Sequence, residues 1–173
     1  MKSKDKFARL VSNAIRFRMY LLYKLPAAFF SGVKVKEFSK EKCVTSVPYK
    51  WLTQNPFRST YFASLAMAAE LSTGALSLSN TYKRDPAISM LLTKMEAEYF
   101  KKATGTTYFT CNDGLQIENA VDEACSSEEG RAITVRTIGK NKNGERIAEF
   151  LFTWSFKSRR KSPAQPGGES PKS

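Results

Sequence analysis

Between Ser59 and Gly74 the chain reads STYFASLAMAAELSTG, and its single charged residue is Glu70. A helix this rich in Ala, Leu and Met has no charged face to offer water and is expected to be buried. Burial disfavours the ionised form of a carboxylate and moves its pKa toward neutrality. Such a group can take a proton from water or attack a carbonyl carbon directly, so Glu70 is a candidate general base or nucleophile. The competing reading is structural: Glu70 pairs with a Lys or Arg from a neighbouring strand, or bonds a backbone group.

The residue inventory narrows the chemistry further. The 173 residues include no histidine, which excludes a Ser-His-Asp triad, a Cys-His dyad and any histidine-ligated zinc or iron. A catalytic base must then be a carboxylate, lysine, tyrosine or cysteine. Cys43, Cys111 and Cys125 are odd in number and far apart in the chain, so they suggest neither a disulfide framework nor a metal-ligand pair. They read as reduced cytosolic thiols, and no cofactor is expected. The start of the helix offers a second chemical element. Its first N–H groups, around Tyr61 and Phe62, lack intrahelical partners and carry partial positive charge, enough to hold a developing oxyanion without any side chain. Ser59 and Thr60 read as helix caps, and Gly74 as the helix stop.

The elements around this helix follow from periodicity. Phe7, Leu10, Val11, Ala14, Phe17, Leu21 and Leu22 recur at helical spacing, with basic residues between them, and predict one amphipathic helix ending before Pro26. That helix either packs on the domain or lies on a membrane surface, where its positive charge and Phe/Leu face act together. Alternation predicts strands over 32–38 and 43–49, and also over 91–100, where Thr93, Met95, Ala97 and Tyr99 alternate with Leu92, Lys94, Glu96 and Glu98. Residues 106–111 form a β-branched and aromatic strand, and Ile117, Val121 and Ala124 mark a short helix. Two further strands, 132–138 and 147–156, flank Asn141-Lys142-Asn143-Gly144, with Ala148, Phe150, Phe152, Trp154 and Phe156 on one core face. The strand aromatics Phe100, Tyr108, Phe109, Phe150, Phe152 and Trp154 are expected chiefly in the core. Beyond Arg160 the Ser, Pro, Gly and Lys composition predicts a disordered tail.

Charge is uneven: residues 1–42 carry 11 basic and 3 acidic side chains, 43–156 carry 12 of each, and 157–173 carry 5 and 1. A neutral body with basic ends suits a polyanionic small molecule, an acidic membrane or nucleic acid reached by flexible arms. The strands lack the aromatic ladder interleaved with Lys and Arg that single-stranded nucleic acid requires, so no nucleic-acid partner is expected.

NPFRSTYFASLAMAAELSTG (55–74) followed by MLLTKMEAEYFKKATG (90–105) resembles the hot-dog superfamily, over about residues 32 to 156. The resemblance implies an α+β fold in which an antiparallel sheet wraps one long central helix. Together with the periodicity and composition above, it divides the chain into an amphipathic helix (1–25), a hot-dog domain (26–158) and a disordered basic tail (159–173). It also implies a homodimer, able to pair further into a tetramer, with acyl-thioester sites formed between subunits. More narrowly, the chain is similar to a thioesterase-like branch in which the usual His-Gly-Gly at the helix start is replaced, here by Tyr61, Phe62 and Ala63. In members that hydrolyse acyl-coenzyme A, an Asn before the helix and a carboxylate within it flank the thioester; the matching positions are Asn55 and Glu70. An Asn before proline is equally an ordinary turn residue. The resemblance therefore implies hydrolysis of acyl-coenzyme A or acyl-carrier thioesters in the cytoplasm, or, without catalysis, acyl or lipid binding. Tyr61, Phe62, Ser59 and Thr60 would contact the substrate, and Lys157, Arg159 and Arg160 would meet the phosphates of coenzyme A. Peripheral membrane contact by residues 1–25 is the alternative that their basic amphipathic pattern carries.

Overall fold

The computed structural model describes residues 3–127 and 129–159. Three helices, α1 (Ser3–Ser12), α2 (Ala14–Lys24) and α3 (Pro26–Ser31), precede strands β1 (Lys34–Phe38) and β2 (Cys43–Val47). A short turn of helix at Trp51–Thr53 leads to the long helix α4 (Phe62–Thr81). Then follow β3 (Ile88–Tyr99), β4 (Thr107–Cys111), α5 (Gly114–Ser126), β5 (Arg131–Lys140) and β6 (Arg146–Ser158). The strands form one antiparallel six-stranded sheet in the order β1-β2-β4-β5-β6-β3. Helix α4 packs against the strands of this sheet.

The reason α4 occupies the centre is its lack of a polar face: Leu65, Ala68, Ala69, Leu71, Ala75 and Leu76 are all buried. The buried hydroxyls of Ser72, Ser77 and Thr81 are satisfied locally or across the core. Ser77 and Thr81 donate to carbonyls one turn back, and Ser72 Oγ donates to Ala69 O and meets Thr137 Oγ1 of β5 at 2.8 Å. Thr45 Oγ1 of β2 donates to Ala68 O at 2.6 Å, tying the helix to the sheet. On the sheet side, Ala148, Phe150, Phe152, Trp154 and Phe156 of β6 are all buried, as their alternation predicts.

Several boundaries differ from the sequence reading, each for a local reason. The single N-terminal helix is two: Asn13 accepts a hydrogen bond from Arg16 N and caps a new start, so α1 and α2 turn separately onto the core, where Phe7, Val11, Phe17 and Leu21 are buried. Helix α4 begins at Phe62 and continues seven residues past Gly74. Neither Ser59 nor Thr60 caps it. Ser59 Oγ donates to Asn55 Oδ1, and Thr60 Oγ1 donates to Ala103 O. In β3 a bulge between Leu92 and Lys94 shifts the alternation, so that Met90, Leu92, Met95, Ala97 and Tyr99 share one face of the sheet with the β6 core residues they pair with. Phe100 falls just beyond β3 and is exposed, lying under the Arg146 guanidinium rather than in the core. Cys43 and Cys111, 68 positions apart, are direct cross-strand neighbours, buried and unjoined. Burial pushes the Cys111 thiol up to about 12 and the Cys43 thiol higher still, which leaves both inert as nucleophiles. The tail from residue 160, with Arg160, lies outside the described residues.

Helix α5 is seated by a glycine. Gly114 N donates to Glu41 O at 3.0 Å, and a Cβ there would stand 2.1 Å from Lys40 O. The obstacle is backbone and cannot swing aside. Gly114→Ala is therefore expected to destabilise by about 1–3 kcal/mol, read as a lower urea midpoint at unchanged m-value.

Candidate functional site

The middle of α4 carries Glu70 into a cavity of about 210 Å³ that is mostly apolar, lined by Phe7, Phe17, Leu71, Leu78 and Met90 together with Tyr20 and Lys24. Burial raises its pKa from 4.5 to about 7. Among the described residues its carboxylate has no ion pair and no hydrogen bond; Lys24 shares the cavity without closing to salt-bridge distance. The structural alternative of a strand Lys or Arg as partner therefore does not hold here. The inner faces of α1 and α2 roof this cavity. Tyr20, itself half-buried, has its hydroxyl pKa raised by burial and further by Tyr82 and Glu70. No pattern in 1–25 could have assigned these helices to the Glu70 cavity, since the signal lies in packing.

Gly74, one turn after Glu70, is a packing glycine rather than a helix stop. A Cβ at this position would lie 2.6 Å from Glu70 Oε1 and 3.4 Å from Trp154 Cζ2. The first obstacle is the end of a flexible side chain, so Gly74→Ala is expected to keep the fold and displace the carboxylate. Circular dichroism and melting would be near wild type, while any activity that depends on Glu70 falls about tenfold or more.

Asn55 sits at the other end of α4, in a tight loop closed by the bridge between Gln54 and Thr60 and by Asn55 N donating to Ser59 O at 2.9 Å. Its Oδ1 accepts from Phe57 N, Ser59 N and Ser59 Oγ. The turn role is thus real, yet it engages only the oxygen; among the described residues Nδ2 donates to nothing and remains available. Asn55 lines a second, wider cavity of about 540 Å³ with Ser59, Thr60, Tyr61, Phe62, Tyr99 and Lys102. Tyr61 N is taken by Thr53 O, so the free helix-start donors are the N–H groups of Phe62 and Ala63. The Tyr61 and Phe62 rings meet edge to face at 4.7 Å and stand exposed at the mouth.

Within the chain the structure thus separates the residues that sequence reasoning grouped. Asn55, Ser59, Thr60, Tyr61 and Phe62 share one cavity, and Glu70 lies in the other, about 12 Å along the helix from Phe62 at 1.5 Å per residue. Lys157, near the end of β6, pairs with Ser89 at the start of β3, and Arg159, just beyond β6, donates its N–H to Ala87 O. They are remote in the chain fold from Lys101 and Lys102, which line the Asn55 cavity and which sequence reasoning missed. The Phe100-Lys101-Lys102 run after β3 was the available signal.

The sequence matches, over residues 16–156, the family described as a domain of unknown function, DUF4442, and the chain belongs to that family. No curated protein matches it. Among solved structures it resembles a protein of unknown function from Chlorobaculum tepidum, with 14% identity over 91% of this chain and 98% of that one and a TM-score of 0.73. A Pseudomonas aeruginosa protein of unknown function, called a probable thioesterase, matches with 19% identity over 84% and 96% and a TM-score of 0.70. A thioesterase from Haemophilus influenzae matches with 10% identity over 84% and 91% and a TM-score of 0.61. The fold is the hot-dog fold, a six-stranded antiparallel sheet around a long central helix, as in these neighbours. No helix among the described residues is long and apolar enough to cross a membrane.

Proposed function

We propose that the protein hydrolyses acyl thioesters, presented on coenzyme A or an acyl carrier, at composite sites in a homodimer. The observation that carries this reading is Glu70: an unpaired carboxylate in an apolar cavity, with its pKa raised to about 7.

The case for a dimer rests on β3. It is a 12-residue edge strand whose backbone is unpaired on one side, an arrangement that soluble proteins rarely leave open. Met95 and Tyr99 share the core-facing side with buried Phe152 and Ala148, which lie opposite them, yet are 48% and 46% exposed. Antiparallel pairing of β3 with its copy about a two-fold axis would cover them. The Glu70 cavity meets β3 at Met90 and the Asn55 cavity meets it at Tyr99. Two-fold pairing brings the Met90 end of one subunit to the Tyr99 end of the other, so Glu70 of one faces Asn55 and the helix start of its partner.

In such a site the Glu70 carboxylate accepts a proton from water as the oxygen attacks the thioester carbonyl carbon. The N–H groups of Phe62 and Ala63 hold the oxyanion, and Asn55 Nδ2 orients the carbonyl or the water. Collapse breaks the C–S bond, and protonated Glu70 returns its proton to the departing thiolate. Lys102 offers charge for the carrier's phosphates, while Lys101 beside it is engaged by Glu145. The opposed but unjoined Cys43 and Cys111 are consistent with a reducing cytoplasm.

One observation favours a second reading, a non-catalytic acyl-binding protein: the side chains of Tyr61 and Phe62 crowd the donors that would hold the oxyanion. A panel of acyl-coenzyme A esters from short to long, followed by thiol release and by calorimetric binding, separates the two. Turnover supports hydrolysis, whereas binding without release supports the acyl-binding protein.

A further inference from the structure

Helix α2 is apolar on both sides, which a helix on a protein's surface ordinarily is not. Phe17 and Leu21 are buried inward, while Ile15, Met19 and Tyr23, spaced one turn apart along the opposite face, are 78%, 46% and 80% exposed. The apolar surface does not end with the helix. Phe30 of α3 is exposed, and the next exposed pair, Trp51 and Leu52, sits on the short helical turn that Lys50 Nζ ties to Phe30 O at 2.8 Å. Arg18 binds α2 to this neighbour rigidly, donating to Phe29 O and Val33 O and lying 3.8 Å over the Phe29 ring.

The charge along this segment of chain is of one sign. From Lys6 to Lys36 the sequence holds seven basic residues and no acidic one. Arg16, Lys24, Lys34 and Lys36 are exposed, and none forms an ion pair among the described residues. Apolar residues that can dip below headgroups, Tyr and Trp rings suited to the interface, and uncompensated cations around them are together the requirements for an anionic lipid surface.

We infer that the outer face of α2, continued through Phe30 to Trp51, docks the protein on an anionic membrane. Docking uses the outer side of a helix whose inner side roofs the Glu70 cavity, and it does not depend on what Glu70 does chemically.

The test is flotation of the full chain with vesicles of phosphatidylcholine alone and with vesicles that also contain phosphatidylglycerol. Binding is expected only to the anionic vesicles, weakening as salt rises, with a blue shift of the Trp51 emission that is absent in Trp51→Phe. Ile15→Asp with Met19→Asp should cut the bound fraction about tenfold or more, and Arg16→Glu or Lys34→Glu about fivefold each. These side chains point outward, and a melting curve checks that each variant is folded; Ile15→Ser serves as a milder version. The inference is overturned if no vesicles bind, or if the Ile15/Met19 variant binds as well as wild type, which would assign binding to another segment. It is equally overturned if that variant leaves vesicle binding unchanged but breaks up a larger assembly in solution, since a second copy then covers the face.

Discussion

Glu70→Gln is expected to lower thioester turnover by about a hundred- to ten-thousand-fold, the usual contribution of a positioned general base, while leaving the protein folded. The amide has nearly the same shape and polarity but cannot accept the proton from water. Steady-state thiol release at saturating substrate should show the loss in kcat rather than in KM. The wild-type rate should rise with pH through about 7, where burial in the Phe7, Phe17 and Leu71 cavity places the carboxylate's ionisation. The same rise should be missing from whatever activity remains in the variant.

The same substitution is expected to stabilise the protein above neutral pH. The Glu70 carboxyl titrates near 7 in the folded state against 4.5 as an ordinary glutamate, so between these values the folded state binds more protons than the unfolded one. Stability attributable to this group is fully present below about pH 4.5 and is lost as pH rises through 7. The full difference corresponds to roughly 3 kcal/mol at 1.36 kcal/mol per pH unit. Glutamine has no such penalty. In urea titrations, Glu70→Gln should gain up to about that amount above pH 8 relative to its advantage at pH 4. A wild-type stability that stays flat across this range would mean that Glu70 is solvated or paired. A carboxylate held at a cost to stability, in a helix otherwise free of charge, supports the proposed chemical role of Glu70.

Much of this architecture was legible in the chain because periodicity reports which face is covered. The β6 alternation from Ala148 to Phe156 and the apolar run around Glu70 each specified one environment, and the structure places them there. The misreadings arose where tertiary contact overrides local signals. Gly74 resembles a helix stop but is needed because the Glu70 carboxylate and Trp154 occupy the space of its Cβ. Ser59 and Thr60 resemble caps but are drawn to Asn55 and Ala103. The bulge after Leu92 inverts the strand's faces without any mark in its composition. For the site, the residue types were readable and their grouping was not: Asn55 and Glu70 are 15 positions apart on one loop and helix, yet they open into different cavities. What reunites them in this account is a second subunit, which no pattern within one chain displays.

That reunion can be measured directly. Asn55→Ala and Glu70→Gln dimers are prepared separately, checked for folding and for low thiol release, then mixed under conditions that exchange subunits. A heterodimer carries one site with both wild-type residues and one with neither, so random exchange should restore about a quarter of the wild-type rate. If the mixture stays at the level of its parents although subunits have exchanged, or if wild type itself releases no thiol from any acyl thioester offered, the account of a composite hydrolytic site is contradicted.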